Sequence, residues 1–485
     1  MAGEKPVANM EDVEAPSTGT IQYSIFGKWK KRYIVGLVGV ADWFSLLSNF
    51  IYYPAITAIS NDLRLSIADI NLSITICMIV SAIAPSITGA ASDVYGRRPL
   101  FLVTIFLYCM ANLGLALQSS LAGLLMLRML QRAFSTAYGV VADVAMPSER
   151  GSYVAVVSFG VTSAPSIGPL LGGALAYSPG WRWIFWLLLI ISATFLTAMA
   201  LFLPETARGV VGNGSIKPPL YCREPKFSCI VRRESSDERQ TAPLESKKPS
   251  LNPLKSLNLL LAKDNATVVF SSALLYTTFC CIHASLGTLF VELYHLNQLQ
   301  SGLIYLPFGI GCTISAVTSG RIIDRDYRKT ADLHGLPIDR VRGDDLRNFP
   351  IEEERLRSVF IPLVATVLSV ISFGWVVEKK APITAPLVIQ FVSGVALQQY
   401  FNTINTLRVD INPTAPPAAQ ASSNLVRCTL AAVTVAVLQQ MIDKIGAGWT
   451  YTFFGCLCSI SGFLFIMERK MGMKWRLRRL ENDEQ

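Results

Sequence analysis

The chain has 485 residues, of which 51% are hydrophobic and only 16% charged, with a mean hydropathy of +0.41. A soluble chain of this length carries more charge, so composition excludes an ordinary globular domain and points to a membrane protein. The formal charge of +9 reports topology and contact with anionic lipid; no basic patch interleaved with aromatics argues for nucleic acid, and no nucleic-acid partner is expected.

A polar tail, residues 1–32, comes first. Its length argues against a cleavable signal peptide, as does the length of the apolar run that follows, so the first span is expected to direct insertion. Spans need roughly 20 mainly apolar residues each. Twelve stretches qualify: 33–59, 68–88, 99–118, 122–145, 152–177, 182–203, 265–291, 299–320, 358–377, 386–407, 417–441 and 449–467. Lys and Arg gather on one side: Lys28, Lys30, Lys31 and Arg32, then Arg97 and Arg98, the loops 204–264 and 321–357, and the tail from Arg469. The positive-inside rule makes that side cytoplasmic and places both termini there.

In the first span Asp42, Ser45, Asn49 and Tyr53 recur at helical spacing, so they share a face that is expected to line a cavity. A mid-membrane carboxylate is costly unless hydrated, paired or protonated, which makes Asp42 a candidate protonation site; pairing with a basic neighbour is the structural alternative. The turn GAASDVYGRR after the second span holds Gly89, Asp93, Gly96, Arg97 and Arg98. Its glycines suit tight helix contact and a sharp turn, and Asp93 can accept from a helix N-terminus or a basic neighbour. In the fourth span Arg128, Gln131, Arg132 and Ser135 share a face, and two guanidiniums one turn apart need an anion nearby. Asp42 or an anionic substrate would serve, or Arg132 turns to backbone carbonyls. The fifth span repeats small residues at Gly160, Ala164, Gly168 and Gly172 with Pro165 and Pro169 interleaved, a row that admits a close partner helix.

Between Pro204 and Lys263 the composition turns polar and mixed in charge, which suits a linker. It divides the spans six and six. The second charged turn, GRIIDRDYRK with Asp324 and Arg325, then falls at the place in its half that GAASDVYGRR holds in the first. The expected fold is therefore an all-α membrane protein of twelve transmembrane helices in two six-helix pseudo-symmetric halves: residues 33–203 and 265–467, the cytoplasmic linker 204–264, and cytoplasmic tails 1–32 and 468–485. The substrate site is expected between the halves. From the second half His283, Gln398, Asn402, Asn405, Asn424 and Arg427 are candidates to line it, since lipid offers polar groups no partner. Each is also suited to an interhelical hydrogen bond.

The pattern G-x-x-x-D-x-x-G-R-R resembles the loop signature of the major facilitator superfamily, and the resemblance runs over nearly the whole chain. "LRMLQRAFS" around Arg128 resembles the fourth-span motif. "SAPSIGPLLGG" from Ser163 to Gly173 resembles the fifth-span antiporter motif, with Ala164 in place of its first glycine. "GWRWIFW", "PETAR", "FPIEEERLR" and "SNLVRC" are similar to the fungal multidrug-resistance branch of the twelve-span drug:proton antiporters. The resemblance implies proton coupling through Arg128 acting on Asp42, a leak-preventing seal at Gly168, Pro169, Gly172 and Gly173, a cytoplasmic gate at the charged turns, and residence in the plasma membrane, with the vacuole as alternative. Arg132, Phe134 and Arg408 depart from that branch, which has a small, a glycine and an apolar residue there.

The ten Cys lie mostly inside spans, where they behave as small apolar residues, and neither a disulfide framework nor a metal site is expected. The sequence holds no phosphate-binding loop and no Ser-His-Asp cluster, so no enzyme activity or cofactor is expected and a gradient must drive transport. Asn71, Asn213 and Asn265 head N-x-S/T triplets in or beside spans or in the linker, where glycans do not attach. Proton-coupled export of drugs, toxins or secondary metabolites by a monomer is the leading function. An exporter of small organic anions is the alternative, since arginine outnumbers carboxylate in the cavity. A transport-inactive sensor is the third, disfavoured by the modest tails and linker.

Overall fold

A computed structural model describes residues 26–132, 140, 143–144, 163–178, 180–212, 216, 218–219, 222–223, 259–334, 350–412 and 416–484. Their regular structure is helical throughout. Helix α1, Lys28–Phe50, stops where the chain runs into Pro54, which has no N–H to continue the ladder. A single tighter turn, Tyr53–Ala55, leads into α2, Ile56–Leu63. Helix α3, Ile67–Tyr95, opens on a reciprocal cap: Ser66 Oγ accepts from the Asp69 amide and the Asp69 carboxylate accepts from the Ser66 amide, each at 3.1 Å. Then come α4, Arg97–Leu117, and α5, Leu121–Gln131. Residues 163–177 form α6, and α7 is Arg182–Phe202.

The rest begins with α8, Lys263–Tyr294, and α9, Gln298–Leu303, whose Asn297–Gln300 cap repeats the device at Ser66. It continues with α10, Leu306–His334; α11, Ile351–Arg357; α12, Phe360–Glu378; and α13, Thr384–Ile411. The last helix, α14, is Pro416–Glu484, divided by Gly446 at φ 78°. Glu378 accepts from the amides of Ala447 and Gly448 and so closes the second arm's N-terminus at this break.

Eight stretches among the described residues are long and apolar enough to cross a membrane, the last of them, Ala419–Arg479, holding two arms. The expected tenth span is the helix α13, but Gln390, Gln398, Gln399, Asn402 and Asn405 keep it from reading as apolar. Helices α5 and α6 are the described parts of the expected fourth and fifth spans; residues 133–139 and 151–162 lie outside the description. Side chains such as Ile87, Val103, Phe106, Ile190, Val388 and Phe463 stay exposed, as a lipid-facing surface requires.

The largest apolar core joins Leu47, Phe50, Ile51 and Tyr53 to Cys280, Leu286, Tyr305 and Tyr451. Helix α6 is pressed into this seam. A Cβ on Gly168 would lie 2.7 Å from the Phe50 Cβ, and one on Gly173 would lie 2.5 Å from the Gln298 carbonyl oxygen. Gly302 meets the Pro169 carbonyl at the same range. Only glycine allows such an approach, so Gly168 and Gly172 of the small-residue row, with Gly173 beside them, are contact positions; Gly160 lies outside the described residues.

Candidate functional site

Four residues of α1 and its following turn build one wall. Asp42, Ser45 and Tyr53 are buried and Asn49 half-buried, with the Asn49 side-chain oxygen lacking a partner. The α5 face predicted from spacing packs on this wall. Arg128, fully buried, donates to the Ser48 carbonyl at 3.1 Å and to Gln131 Oε1 at 2.8 Å, and its guanidinium lies 4.1 Å from the Tyr52 ring centroid. Gln131 donates to Asn112 Oδ1 at 2.8 Å, and Asn112 to the Tyr108 carbonyl at 2.8 Å. Tyr108 in turn bonds Ser48. Arg132 donates to the Ser45 carbonyl at 2.6 Å. Backbone carbonyls thus take one nitrogen of each arginine, while Nε and Nη2 of both stay buried and unpartnered.

Across the seam, Arg427 sits 4.7 Å over the Tyr276 ring, and both it and Arg132 lie within electrostatic reach of Cys428. Arg408 lies within reach of Arg427 and donates to Gln420 at 3.2 Å and to Asn405. The four guanidiniums form a belt through the middle of the molecule, and Nε of Arg408 and of Arg427 is also unpartnered. A guanidinium has no uncharged state at working pH, so its spare donors ask for an acceptor.

His283 stands beside the belt in an aromatic cage, with ring centroids at 4.3 Å (Phe279), 4.5 Å (Phe308), 5.8 Å (Tyr305) and 5.9 Å (Phe50). Its Nδ1 is 3.0 Å from the Phe279 carbonyl, which fixes the Nδ1–H tautomer and leaves Nε2 an unpartnered acceptor. Gln398 donates to Asn402 at 2.8 Å, and Asn402 to Ser319 at 2.7 Å, the interhelical bond that was the alternative reading of these residues. Asn405 is exposed and anchors Arg408; Asn424 is half-buried with its oxygen unpartnered.

At the first charged turn Gly96 takes φ 102° between α3 and α4. The acceptor at the N-terminus of α4 is Glu205 of "PETAR", where the sequence suggested Asp93. Its buried carboxylate takes the amides of Arg97 at 2.8 Å, Arg98 at 3.1 Å, Thr206 at 2.9 Å and Ala207 at 2.8 Å. Glu205 Oε2 lies only 2.6 Å from where a Gly96 Cβ would be, so this glycine is needed for both its φ and its space. Arg97 pairs with Asp143 at 2.8 Å and donates to Ser92. The side chains of Asp93 and Asp324 lie outside the described residues. Arg325 is exposed, and Gly89 has no described neighbour that a Cβ would meet, so the tight contact expected there is absent among the described residues.

The second charged corner is built from α11. Arg355 bridges Glu354 and Asp410, each at 3.1 Å. Arg476 pairs with Glu352 at 3.0 Å and Arg479 with Asp264 at 3.0 Å, tying α14 to α11 and α8. Burial pushes the Glu354 carboxyl up to about 7, against the pull of Arg355 and with Asp410 and Asp326 adding to the rise. Burial likewise holds Glu352 above the usual carboxylate range. Sequence spacing gave no signal for Glu205, Tyr52, Tyr276 or Asn112; "PETAR" and "FPIEEERLR" were visible only as strings.

The sequence profile of the Major Facilitator Superfamily matches residues 38–433. The chain is 36% identical over 490 residues to the MFS-type transporter phiD of a Fungal sp., an alignment covering 99% of this chain and 74% of that one. It is 31% identical over 482 residues to Citrate exporter 1 of Aspergillus niger, covering 96% and 90% respectively. Among solved structures it is similar to a bacterial homolog to the human lysosomal transporter Spinster, inward-facing and unoccupied, with TM-score 0.63 and 13% identity over 93% of this chain and 99% of that one. At such identity the likeness is one of fold.

Proposed function

We propose that this chain, which belongs to the Major Facilitator Superfamily, is a secondary active exporter that couples proton entry to the outward movement of small acidic or polyoxygenated organic compounds. Membership makes it a multi-pass membrane transporter of small molecules. The single observation that carries the cargo class is the belt of Arg128, Arg132, Arg408 and Arg427, in which Nε of all four and Nη2 of the first two are buried without an acceptor. Unpaired donors in a low-dielectric site cost several kcal/mol unless a counter-charge arrives, and a carboxylate or phenolate on the cargo is that counter-charge. Cationic drugs would meet the wrong sign. A relative named for citrate export is consistent with such a site.

Asp42 is the sole carboxylate of α1 and lies one turn from Ser45, whose carbonyl holds Arg132. In this reading its protonation is the coupling step: Asp42 carries the proton inward while the cargo site is empty, and gives it up to the cytoplasm before the arginines take cargo for the outward leg. The α6 glycine seam keeps protons from leaking while the halves exchange access, the two charged turns gate the cytoplasmic side, and the plasma membrane is the expected location of a monomeric pump.

Inverted vesicles test this with matched anionic and cationic fluorescent compounds under an imposed pH gradient. Wild type is expected to move the anions. Arg132→Gln should lower anion transport at least tenfold, and Asp42→Asn should abolish its dependence on the gradient. Preference for cations in wild type, or anion transport unaltered by Arg132→Gln, overturns the cargo class; gradient-driven transport at the wild-type rate in Asp42→Asn overturns the coupling site.

A further inference from the structure

Glu468 lies where α14 leaves the membrane, and no side chain in the mechanism above uses it. It is completely buried, and neither carboxylate oxygen has a hydrogen-bond partner. The nearest hydroxyl, on Thr267, donates to the Lys263 carbonyl at 2.7 Å instead. The charged groups that face Glu468 come from three elements: Asp264 of α8, Glu352 of α11, and Arg479 of its own helix, with Arg476 on Glu352. Glu468 and Glu352 meet over Gly472, where a Cβ would be 2.6 Å from Glu468 Oε1 and 2.9 Å from the Glu352 Cγ. Arg476 is taken by Glu352 and Arg479 by Asp264, both at 3.0 Å.

The charge count does not close. Three buried carboxylates face two guanidiniums, and Glu468 is the carboxylate that no arginine pairs with. Leaving it ionised in that surrounding is far costlier than adding a proton. Among the described residues no trio of His, Cys, Asp and Glu is arranged to hold a metal ion. A cavity of about 300 Å³, lined by Ala262, Lys263, Asp264, Trp475, Arg478 and Arg479, adjoins the Asp264 end of the cluster.

We propose that Asp264, Glu352 and Glu468 form a proton-binding site on the cytoplasmic face, separate from Asp42, which holds one proton in common and thereby keeps the cytoplasmic end of α14 docked on α11 and α8. Protonated, the cluster is neutral and the extension beyond Glu468 stays packed, as its buried Arg476 shows. Deprotonated, it carries a buried negative charge that undocking relieves by admitting water. The docked fraction therefore falls as cytoplasmic pH rises. Between the carboxyl's ordinary value in water and its higher value in the docked cluster, one proton released per undocking gives about a tenfold fall in the docked-to-undocked ratio per pH unit.

The test uses the full-length protein in nanodiscs, in an Asp42→Asn background so that the outcome is independent of the transport site. Spin labels at the exposed positions Arg357 and Lys474 report docking by their distance between pH 6 and pH 10. A short, single distance is expected at the acid end, with a longer and broader population growing as pH rises. Glu468→Gln, which carries the neutral shape permanently, should hold the short distance across the range. Infrared difference spectra should show a protonated-carboxyl band at neutral pH that Glu468→Gln removes. A distance independent of pH in the unsubstituted cluster, a Glu468→Gln protein that undocks with the same pH profile, or no protonated-carboxyl band assignable to Glu468 overturns the proposal.

Discussion

The two charged corners solve one problem in opposite ways. In the first, a lone carboxylate, Glu205, is surrounded by four backbone amides, and the left-handed Gly96 leaves just enough room for it. In the second, Glu352, Glu354, Asp264, Asp410 and Glu468 are set against Arg355, Arg476 and Arg479. Backbone amides do not titrate and cannot swing away, so the first corner is a fixed joint. Ionisable side chains can do both, so the second is adjustable. A helix N-terminus can hold an anion without any cation, but it does so only where the turn before it can bend far enough.

Removing Glu205 breaks the first corner outright. Glu205→Ala leaves several buried amides without an acceptor beside Arg97 and Arg98, and the expected loss is on the order of 3–5 kcal/mol. The melting temperature in detergent at a fixed scan rate should fall by several degrees; an unchanged melting temperature would remove the fixed joint from the comparison.

A smaller effect, with a pH signature, is expected at Glu354. Its carboxyl in the folded protein titrates near 7, above the ordinary 4.5. A raised carboxyl costs nothing below the ordinary value, costs increasingly through the interval, and costs its full amount above 7, so the corner weakens as pH rises. Glu354→Gln should be neutral at pH 4.5 and gain on the order of 1–3 kcal/mol at pH 8. Melting curves of the two proteins that run parallel across that range would show the second corner to be no more titratable than the first.

The smallest effect marks the edge of the corner. Glu353 pairs with Arg469 at 2.8 Å, but both side chains are substantially exposed. Glu353→Gln is expected to change stability by less than about 0.5 kcal/mol, and less still at high salt. A loss comparable to that from Glu205→Ala would mean that the surface pair, not the buried cluster, holds α11 to α14.

Local spacing made much of the central site legible and almost none of the corners. Asp42, Ser45 and Asn49 on α1, and Arg128 and Gln131 on α5, are three or four residues apart, and helical periodicity alone puts each set on a common face; Tyr53 continues the first set into the turn after α1. The close-packed α6 was legible for the same reason, because glycines repeat every fourth position. Arg408 stood out only as an odd residue in a resemblance, and its nearness to Arg427 depends on how α13 meets α14, which no period encodes. Asn402 and Asn405 fall on the expected helix, yet one is held by Ser319 and the other faces outward under Arg408. Glu205 was harder still. It accepts from amides more than a hundred positions earlier in the chain, and a backbone amide leaves no trace in sequence. Asp93, the nearer carboxylate, was the natural candidate for that reason.

The pairing of Arg476 with Glu352 and of Arg479 with Asp264 has a consequence for the order in which the protein is made. Synthesis delivers Asp264 first, then Glu352, and only much later the arginines that neutralise them. Until the end of α14 leaves the ribosome, two carboxylates destined for burial must wait in water, and α8 cannot settle against α11. The last stretch translated is thus the clasp for two segments inserted long before it, and a nascent chain stalled at Met467 would hold its membrane helices but leave the charged end of the bundle unclosed.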